Sequence, residues 1–230
     1  MLTGFKVLLK KIISKIINFL YPKNKLYWKA PEDIFQNGRD NVENVFDTIY
    51  EKKVWGNGSG GGSDAHVANV YIDTVNKIFK ENNIKKVLDI GCGDWQFSKF
   101  IDWSNMDYVG IDVVESVIKK NNEKFSSSNI KFICENPLSE NCILPSVDLI
   151  LVKDVLQHLS NKNVIILLDK ILKSKSNFVL VTNDFDSRNI DINNGDTRPI
   201  DITKPPFNVI NSEDVLSFNG KKVFLIRNNI

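Results

Sequence analysis

A chain of 230 residues with 42% hydrophobic side chains fits one α/β domain with an N-terminal appendage, and it carries enough apolar mass for a full core. The net charge of +2 is unevenly spread. Residues 1–30 hold seven lysines and no acid, so +2 less those seven leaves −5 for the remainder. That excludes a general nucleic-acid binder, which needs a basic face on the domain itself. Three cysteines (Cys92, Cys134 and Cys142) form no Cys-x-x-Cys pair and are odd in number. This argues against a disulfide scaffold or a zinc site and for reduced thiols in the cytoplasm; no metal site is expected.

From Phe5 to Leu20, Lys6, Lys10, Lys11, Ser14, Lys15 and Asn18 fall on one helical face, and leucines, isoleucines and phenylalanines fill the other. Pro22 stops this helix. It is too short and too charged to span a bilayer. A basic amphipathic helix of this kind can lie in a membrane interface. Packing on its own domain, or on a second copy in a homodimer, is the alternative reading, and a processing remnant is a third. Residues 1–54 form an accessory segment, with a weak helical signal around 40–52. The main domain is expected over 55–230.

Next comes Trp55-Gly56-Asn57-Gly58-Ser59-Gly60-Gly61-Gly62-Ser63-Asp64. A Gly/Ser run is ordinarily a linker. This one ends in Ser63-Asp64, a good N-cap for a helix over 65–82, and glycines before a helix N-terminus leave N–H groups free for an anion. Ser63 is therefore a candidate binding residue. Strand–helix alternation follows: strands at 86–90, 107–111, 129–134, 147–152 and 177–182, with helices at 95–102, 114–124 and 161–173. Such alternation means parallel strands with right-handed crossovers. About 25 residues without a helical period come next, the length of a lid or binding loop. Asn219-Gly220 between apolar runs at 213–218 and 221–227 signals a type I′ hairpin.

The chemistry concentrates in Val87-Leu88-Asp89-Ile90-Gly91-Cys92-Gly93-Asp94 and in Asp112, 23 positions after Asp89. Glycine lets the backbone approach a ligand closely, and an acid at the next strand tip can accept from two ribose hydroxyls. A dinucleotide site would want a third glycine, where Gln96 stands between Trp95 and Phe97. The stretch resembles motif I of the class I S-adenosylmethionine-dependent methyltransferases. Trp-Gly-x-Gly-Ser, Lys-Asp-Val-Leu-Gln-His-Leu, Thr-Asn-Asp and Arg-Pro-x-Asp…Pro-Pro-Phe extend the likeness to a small bacterial-type branch over about 55–230.

That resemblance implies a seven-stranded, mostly parallel Rossmann-like sheet in the order 3-2-1-4-5-7-6, closed by a C-terminal antiparallel hairpin. It implies S-adenosyl-L-methionine as cofactor, with Asp89, Gly91 and Gly93 at the methionine part and Asp112 at the ribose. Val113 and Asn136 would meet the adenine, and Trp95 and Gln96 would wall the pocket. It also associates the chain with surface-glycan or small-metabolite modification. Methyl transfer to a hydroxyl needs a base beside the strand-four and strand-five tips. His158 is the candidate base, since an unperturbed imidazole titrates near pH 6.5. Asp184 is an alternative base or a hydroxyl-orienting group, and Asp154 is a candidate to orient the substrate or the histidine or to sit near the sulfonium. Lys153 is a candidate to bind an anionic substrate or to pair with a nearby acid. Arg198, a rare arginine in a lysine-rich chain, is a candidate carboxylate or phosphate clamp, with a solvated loop arginine as the alternative. The function expected is O-methylation of a sugar or other small polar acceptor in surface-glycan biosynthesis. N-methylation of a small metabolite and a non-catalytic cofactor-binding subunit of a glycan-assembly complex stand as alternatives.

Overall fold

The computed structural model describes residues 28–184, 188–218 and 220–228, apart from the side chains of 65–67. The amphipathic stretch at 5–20 lies outside the described residues, as does Asn219 in the hairpin turn. Seven strands form one sheet: β1 (Lys86–Ile90), β2 (Asp107–Asp112), β3 (Ile130–Cys134), β4 (Leu149–Val152), β5 (Phe178–Asp184), β6 (Ser212–Phe218) and β7 (Lys221–Arg227). Their order is β3-β2-β1-β4-β5-β7-β6. The first five are parallel, β7 is antiparallel to β5, and β6 is antiparallel to β7. The parallel strands and the terminal hairpin are those expected from the strand alternation and the Asn-Gly turn, and the strand order is the one the family resemblance implies.

Consecutive side chains on a strand point to opposite faces, and here both faces are buried. Leu149 and Leu151 of β4 join one apolar cluster with Leu180, Val223 and Leu225; Ile150 and Val152 join the other with Val179, Val181 and Ile226. Helix α2 (Ala65–Glu81) covers the first face through Ala68, Tyr71, Ile72, Val75, Ile78 and Phe79. Helix α4 (Asn161–Lys173) covers the second through Val164, Leu167, Leu168 and Ile171. The Ser160 side chain caps α4 by accepting from Asn163 N. Helices α1 (Val42–Glu51) and α3 (Glu115–Phe125) complete the described set. Among the described residues no helix is long and apolar enough to cross a membrane.

One expected helix, at 95–102, is replaced by a single 3-10 turn, Ser98–Phe100. Trp95 has φ +58°, which a helix cannot contain. Trp95 and Phe97 are also both buried, although residues two apart do not share a helix face. Burial of closely spaced aromatics therefore overrides the local helical tendency. The segment 190–211 is irregular, as its composition suggests.

The accessory segment is laced to the domain. Trp28 and Thr197 form an antiparallel bridge, and Arg39 reaches Asp196. Helix α1 starts at the Asn41 cap, whose side chain accepts from Asn44 N at 2.7 Å, and it buries Val42, Val45 and Ile49.

Candidate active site

A cavity of about 350 Å³ opens at the carboxyl ends of β1, β2 and β4. At its β1 end the chain reverses through Gly91 and Gly93, with φ +70° and +55°. Gly91 N and Cys92 N both donate to Ile111 O, at 2.8 and 3.1 Å, which folds the turn over the end of β2. A Cβ on Gly91 would lie 2.5 Å from Val155 Cγ2, and one on Gly93 would lie 2.2 Å from Ser59 Oγ. Side chains are thus excluded by both conformation and space.

Asp112 accepts from Gly93 N at 3.0 Å on one oxygen and from Val114 N at 3.1 Å on the other. Burial pushes its carboxyl up, while these N–H bonds favour the charged form. Each oxygen keeps a lone pair for a further donor. Asp89 is 4% exposed and accepts from Tyr108 OH at 2.8 Å. Burial pushes it up to about 7, against the pull of Tyr108 and Lys153. The cavity therefore holds, side by side, a fixed carboxylate with spare acceptor capacity and a buried carboxyl short of positive charge.

A second layer braces the turn. Ser59 Oγ donates to Asp94 Oδ1 at 2.7 Å and accepts from Asp94 N at 3.0 Å. Its single proton is thereby committed, so Tyr50 OH must donate to it, at 2.7 Å. Gln96 Nε2 donates to Asp94 Oδ2 and, at 3.2 Å, to Asn57 O. Gln96 thus latches the Gly/Ser loop onto the glycine turn and does not itself line the cavity. Trp95, expected at the wall, is also absent from it. The turn at φ +58° sends Trp95 into the aromatic core beside Trp103, Phe125 and Phe132. Its Nε1 donates to Tyr108 OH at 2.9 Å, so it acts on Asp89 through that tyrosine.

Ser63, Val113 and Asn136 line the cavity as expected. Asn136 Nδ2 donates to Glu43 Oε1 of α1 at 2.7 Å, and its oxygen accepts from Leu138 N.

At the β4 end, Asp154 is held at φ +57°, its N–H donating to Thr182 Oγ1 at 2.6 Å. Its carboxylate pairs with Lys153 Nζ at 2.6 Å and with Lys221 Nζ, and Gln157 Nε2 donates to it at 3.3 Å. Burial opposes its charge, but the two ammonium groups prevail and hold it well below the usual carboxylate range. Asp154 is thus committed to Lys153 and Lys221. Lys153 Nζ also donates to Gly62 O at 2.9 Å and lies 4.6 Å from the Phe97 ring centroid.

His158 lies at the end of a 3-10 turn (Leu156–His158), half-buried and packed against Trp55 at 4.5 Å between ring centroids, with the rings tilted by 36°. Its Nδ1 is 3.1 Å from Asp196 O. A carbonyl only accepts, so Nδ1 carries the proton and Nε2 the lone pair. Burial pushes His158 down to about 4, well below the 6.5 expected of a free ring. At neutral pH it is an uncharged proton acceptor.

Two further expected site residues, Asp184 and Arg198, also lie off the cavity wall. Asp184 does not line the cavity; its N–H donates to Ile200 O at 2.7 Å and its carboxylate accepts from Ile200 N at 3.0 Å. The tip of β5 is thus bound to the irregular segment. Arg198 is 1% exposed and donates to Ile190 O, Leu156 O and Asn161 Oδ1 at 2.7–3.0 Å. It clamps backbone around the His158 turn instead of a substrate. Conversely, Val42, Phe46, Tyr50, Trp55, Ser59 and Lys221 line the cavity without having been singled out. Lys221 was findable: an antiparallel β7 beside β5 starts at the carboxyl edge, in register with Asp184.

The sheet order, the glycine turn and the acid at the β2 tip define a Rossmann-like nucleoside-binding domain. A family model described as a methyltransferase domain matches residues 81–199, a little over half of the chain. The chain belongs to that family: it is a class I S-adenosylmethionine-dependent methyltransferase. No curated protein sequence matches it. Among solved structures it is similar to human N-acetylserotonin methyltransferase, in complex with S-adenosylmethionine, at 16% identity over 86% of this chain and 65% of that one, TM-score 0.60. It is similar to magnesium protoporphyrin IX methyltransferase from Synechocystis, also with S-adenosylmethionine bound, at 12% identity over 80% and 96%, TM-score 0.56. The N-methyltransferase NodS from Bradyrhizobium japonicum, with S-adenosyl-l-homocysteine, matches at 16% identity over 70% and 87%, TM-score 0.54. At these identities each likeness is one of fold.

The residues present fit the cofactor. Asp112 has lone pairs for two hydroxyls, and the buried Asp89 calls for a cation such as an amino group.

Proposed function

We propose that this enzyme O-methylates a sugar or another small polar acceptor, in the setting of surface-glycan biosynthesis. The observation that carries the reading is His158: a neutral imidazole on the cavity wall, with Nδ1 committed to Asp196 O and the Nε2 lone pair left for an incoming hydroxyl. The glycan setting rests on the sequence resemblance alone.

In this reading Asp89, Gly91, Gly93, Asp112, Val113, Asn136 and Ser63 hold the cofactor. When bound, the cofactor supplies an electrophilic methyl group on a sulfonium. His158 Nε2 receives the proton of the acceptor hydroxyl. Lys153 and Lys221 flank Asp154 and keep it charged, so a second proton acceptor does not compete. Trp55 Nε1 is a buried donor without a partner on a cavity-lining side chain. Left unpaired it is costly, and an acceptor oxygen would satisfy it. The ring of Trp55 packs against His158 at a tilt and lines the cavity with an apolar surface of the kind that suits a sugar face.

A second reading, N-methylation of a small metabolite, is favoured by one observation: a histidine pushed down to about 4 is a weak base, and a neutral amine needs none. The two readings separate on one variant. With a methyl-labelled cofactor and a panel of nucleotide sugars followed by mass spectrometry, His158→Ala should cost roughly 10²–10⁴ in rate for a hydroxyl acceptor. A mild effect with an amine acceptor would replace the first reading by the second.

A further inference from the structure

Residues 194–198 run between two partners that the sequence keeps far apart. On one side lies the His158 turn: Gly195 N donates to His158 O at 2.8 Å, Arg198 N donates to Gln157 O at 3.1 Å, and His158 Nδ1 meets Asp196 O. On the other lies the accessory segment. Arg39 Nη1 pairs with Asp196 Oδ1 at 2.5 Å, with both side chains at most 6% exposed. Ala30 N donates to the same carboxylate oxygen at 2.9 Å, and Arg39 Nη2 donates to Ala30 O at 2.7 Å. Asn194 Nδ2 donates to Arg39 O at 2.9 Å, and Trp28 and Thr197 exchange both backbone bonds. The Arg39 guanidinium also lies 4.2 Å over the Phe35 ring. One residue, Asp196, therefore answers to the accessory segment with its side chain and to His158 with its carbonyl.

We propose that the buried Arg39–Asp196 ion pair positions His158: it fixes the Asp196 carbonyl that holds the ring in its Nδ1–H tautomer, with the Nε2 lone pair turned to chemistry. Arg39 is a positioning residue and touches neither cofactor nor acceptor. A buried ion pair is a poor source of net stability but a strong geometric constraint, because breaking one half strands the other charge. Thr197 Oγ1, also 3.1 Å from Nδ1, cannot set the tautomer. The hydroxyl can turn to accept, whereas the carbonyl has no alternative.

The inference rests on His158 as the base, but its test does not require an acceptor. The chain has two histidines, His66 and His158, so long-range proton–nitrogen correlation spectra of ¹⁵N-histidine-labelled full-length protein are readable, with His158→Gln giving the assignment. The expected result is one tautomer for His158, protonated at Nδ1. Arg39→Ala should collapse this into exchange-averaged nitrogens, Arg39→Lys should restore it in part, and Thr197→Val should leave it unchanged. S-adenosylhomocysteine binding, measured by calorimetry, reports that each variant is folded. If Arg39→Ala does not fold, Asp196→Asn removes the charge while keeping the carbonyl and should show the same averaging. A wild-type Nε2–H tautomer, or a tautomer indifferent to both Arg39→Ala and Asp196→Asn, overturns the proposal. A mild activity loss in His158→Ala would instead sink the base reading and leave the tautomer result standing.

Discussion

At the tips of β1 and β2 the cavity is walled by near neighbours in sequence: Asp89 to Gly93, then Asp112 and Val113. At the tips of β4 and β7 it is walled by Trp55, Lys153, Asp154, Gln157, His158 and Lys221, drawn from three distant segments. The electrostatics differ in the same way. Burial pushes both carboxyls of the first end up. At the second end the carboxylate is already matched by two lysines and the histidine is neutral. One end is built to be completed by its ligand, and the other is balanced before anything binds.

That contrast breaks first at Asp112. Removing its carboxylate takes away the acceptor for two ligand hydroxyls and strands Gly93 N and Val114 N. Asp112→Ala should cost about 2–4 kcal/mol of S-adenosylhomocysteine affinity. Lys221→Ala, on the balanced end, should leave that affinity unchanged. Calorimetry on both variants is the measurement. Equal losses would mean that the two ends are not separate in function.

The same contrast explains what could be read from the chain. The first end was legible because its geometry is local: glycines at positive φ, an acid two residues before the first, and a second acid at the next strand tip. The hairpin was legible for the same reason. Arg198 was misread because its oxygen partners come from Leu156, Asn161 and Ile190, and no spacing rule joins these. Asp184 was misread because Ile200 returns to pair with the β5 tip. Trp95 was misread because a single left-handed residue turned it from wall to core. Tyr50 and Phe46 gave only a weak amphipathic signal, and nothing in that signal says which cavity a helix will roof.

His158 offers a second, somewhat smaller effect. Its folded value of about 4 lies below the unfolded 6.5, so as pH falls from 6.5 towards 4 the unfolded chain takes up a proton that the folded chain refuses. Stability present at neutral pH is lost across that window, by at most about 2–3 kcal/mol for a half-buried ring. Denaturant unfolding of wild type and His158→Gln between pH 7 and 4 should show the wild-type advantage shrinking as pH falls. A pH-independent difference would mean that the ring is solvated and not balanced in place.

Asp89 should give the smallest effect, and its pKa is displaced in the opposite direction to that of His158. Raised to about 7 by burial, it is partly protonated at neutral pH before ligand binds. If an ammonium group of the ligand settles beside it, the carboxyl must ionise and a proton must leave. Affinity should then fall as pH drops below about 7, approaching tenfold, about 1.4 kcal/mol, per unit once the group is mostly protonated. Lys153 and Tyr108 favour the charged form, and the value of about 7 already includes their pull. Calorimetry of S-adenosylhomocysteine binding at pH 7, in buffers of different ionisation enthalpy, counts the protons directly. Release of a fraction of one proton, abolished in Asp89→Asn, is the expected result. Proton uptake, or the same release in Asp89→Asn, would mean that the uncompensated carboxyl at the β1 tip is not what receives the ligand's positive charge.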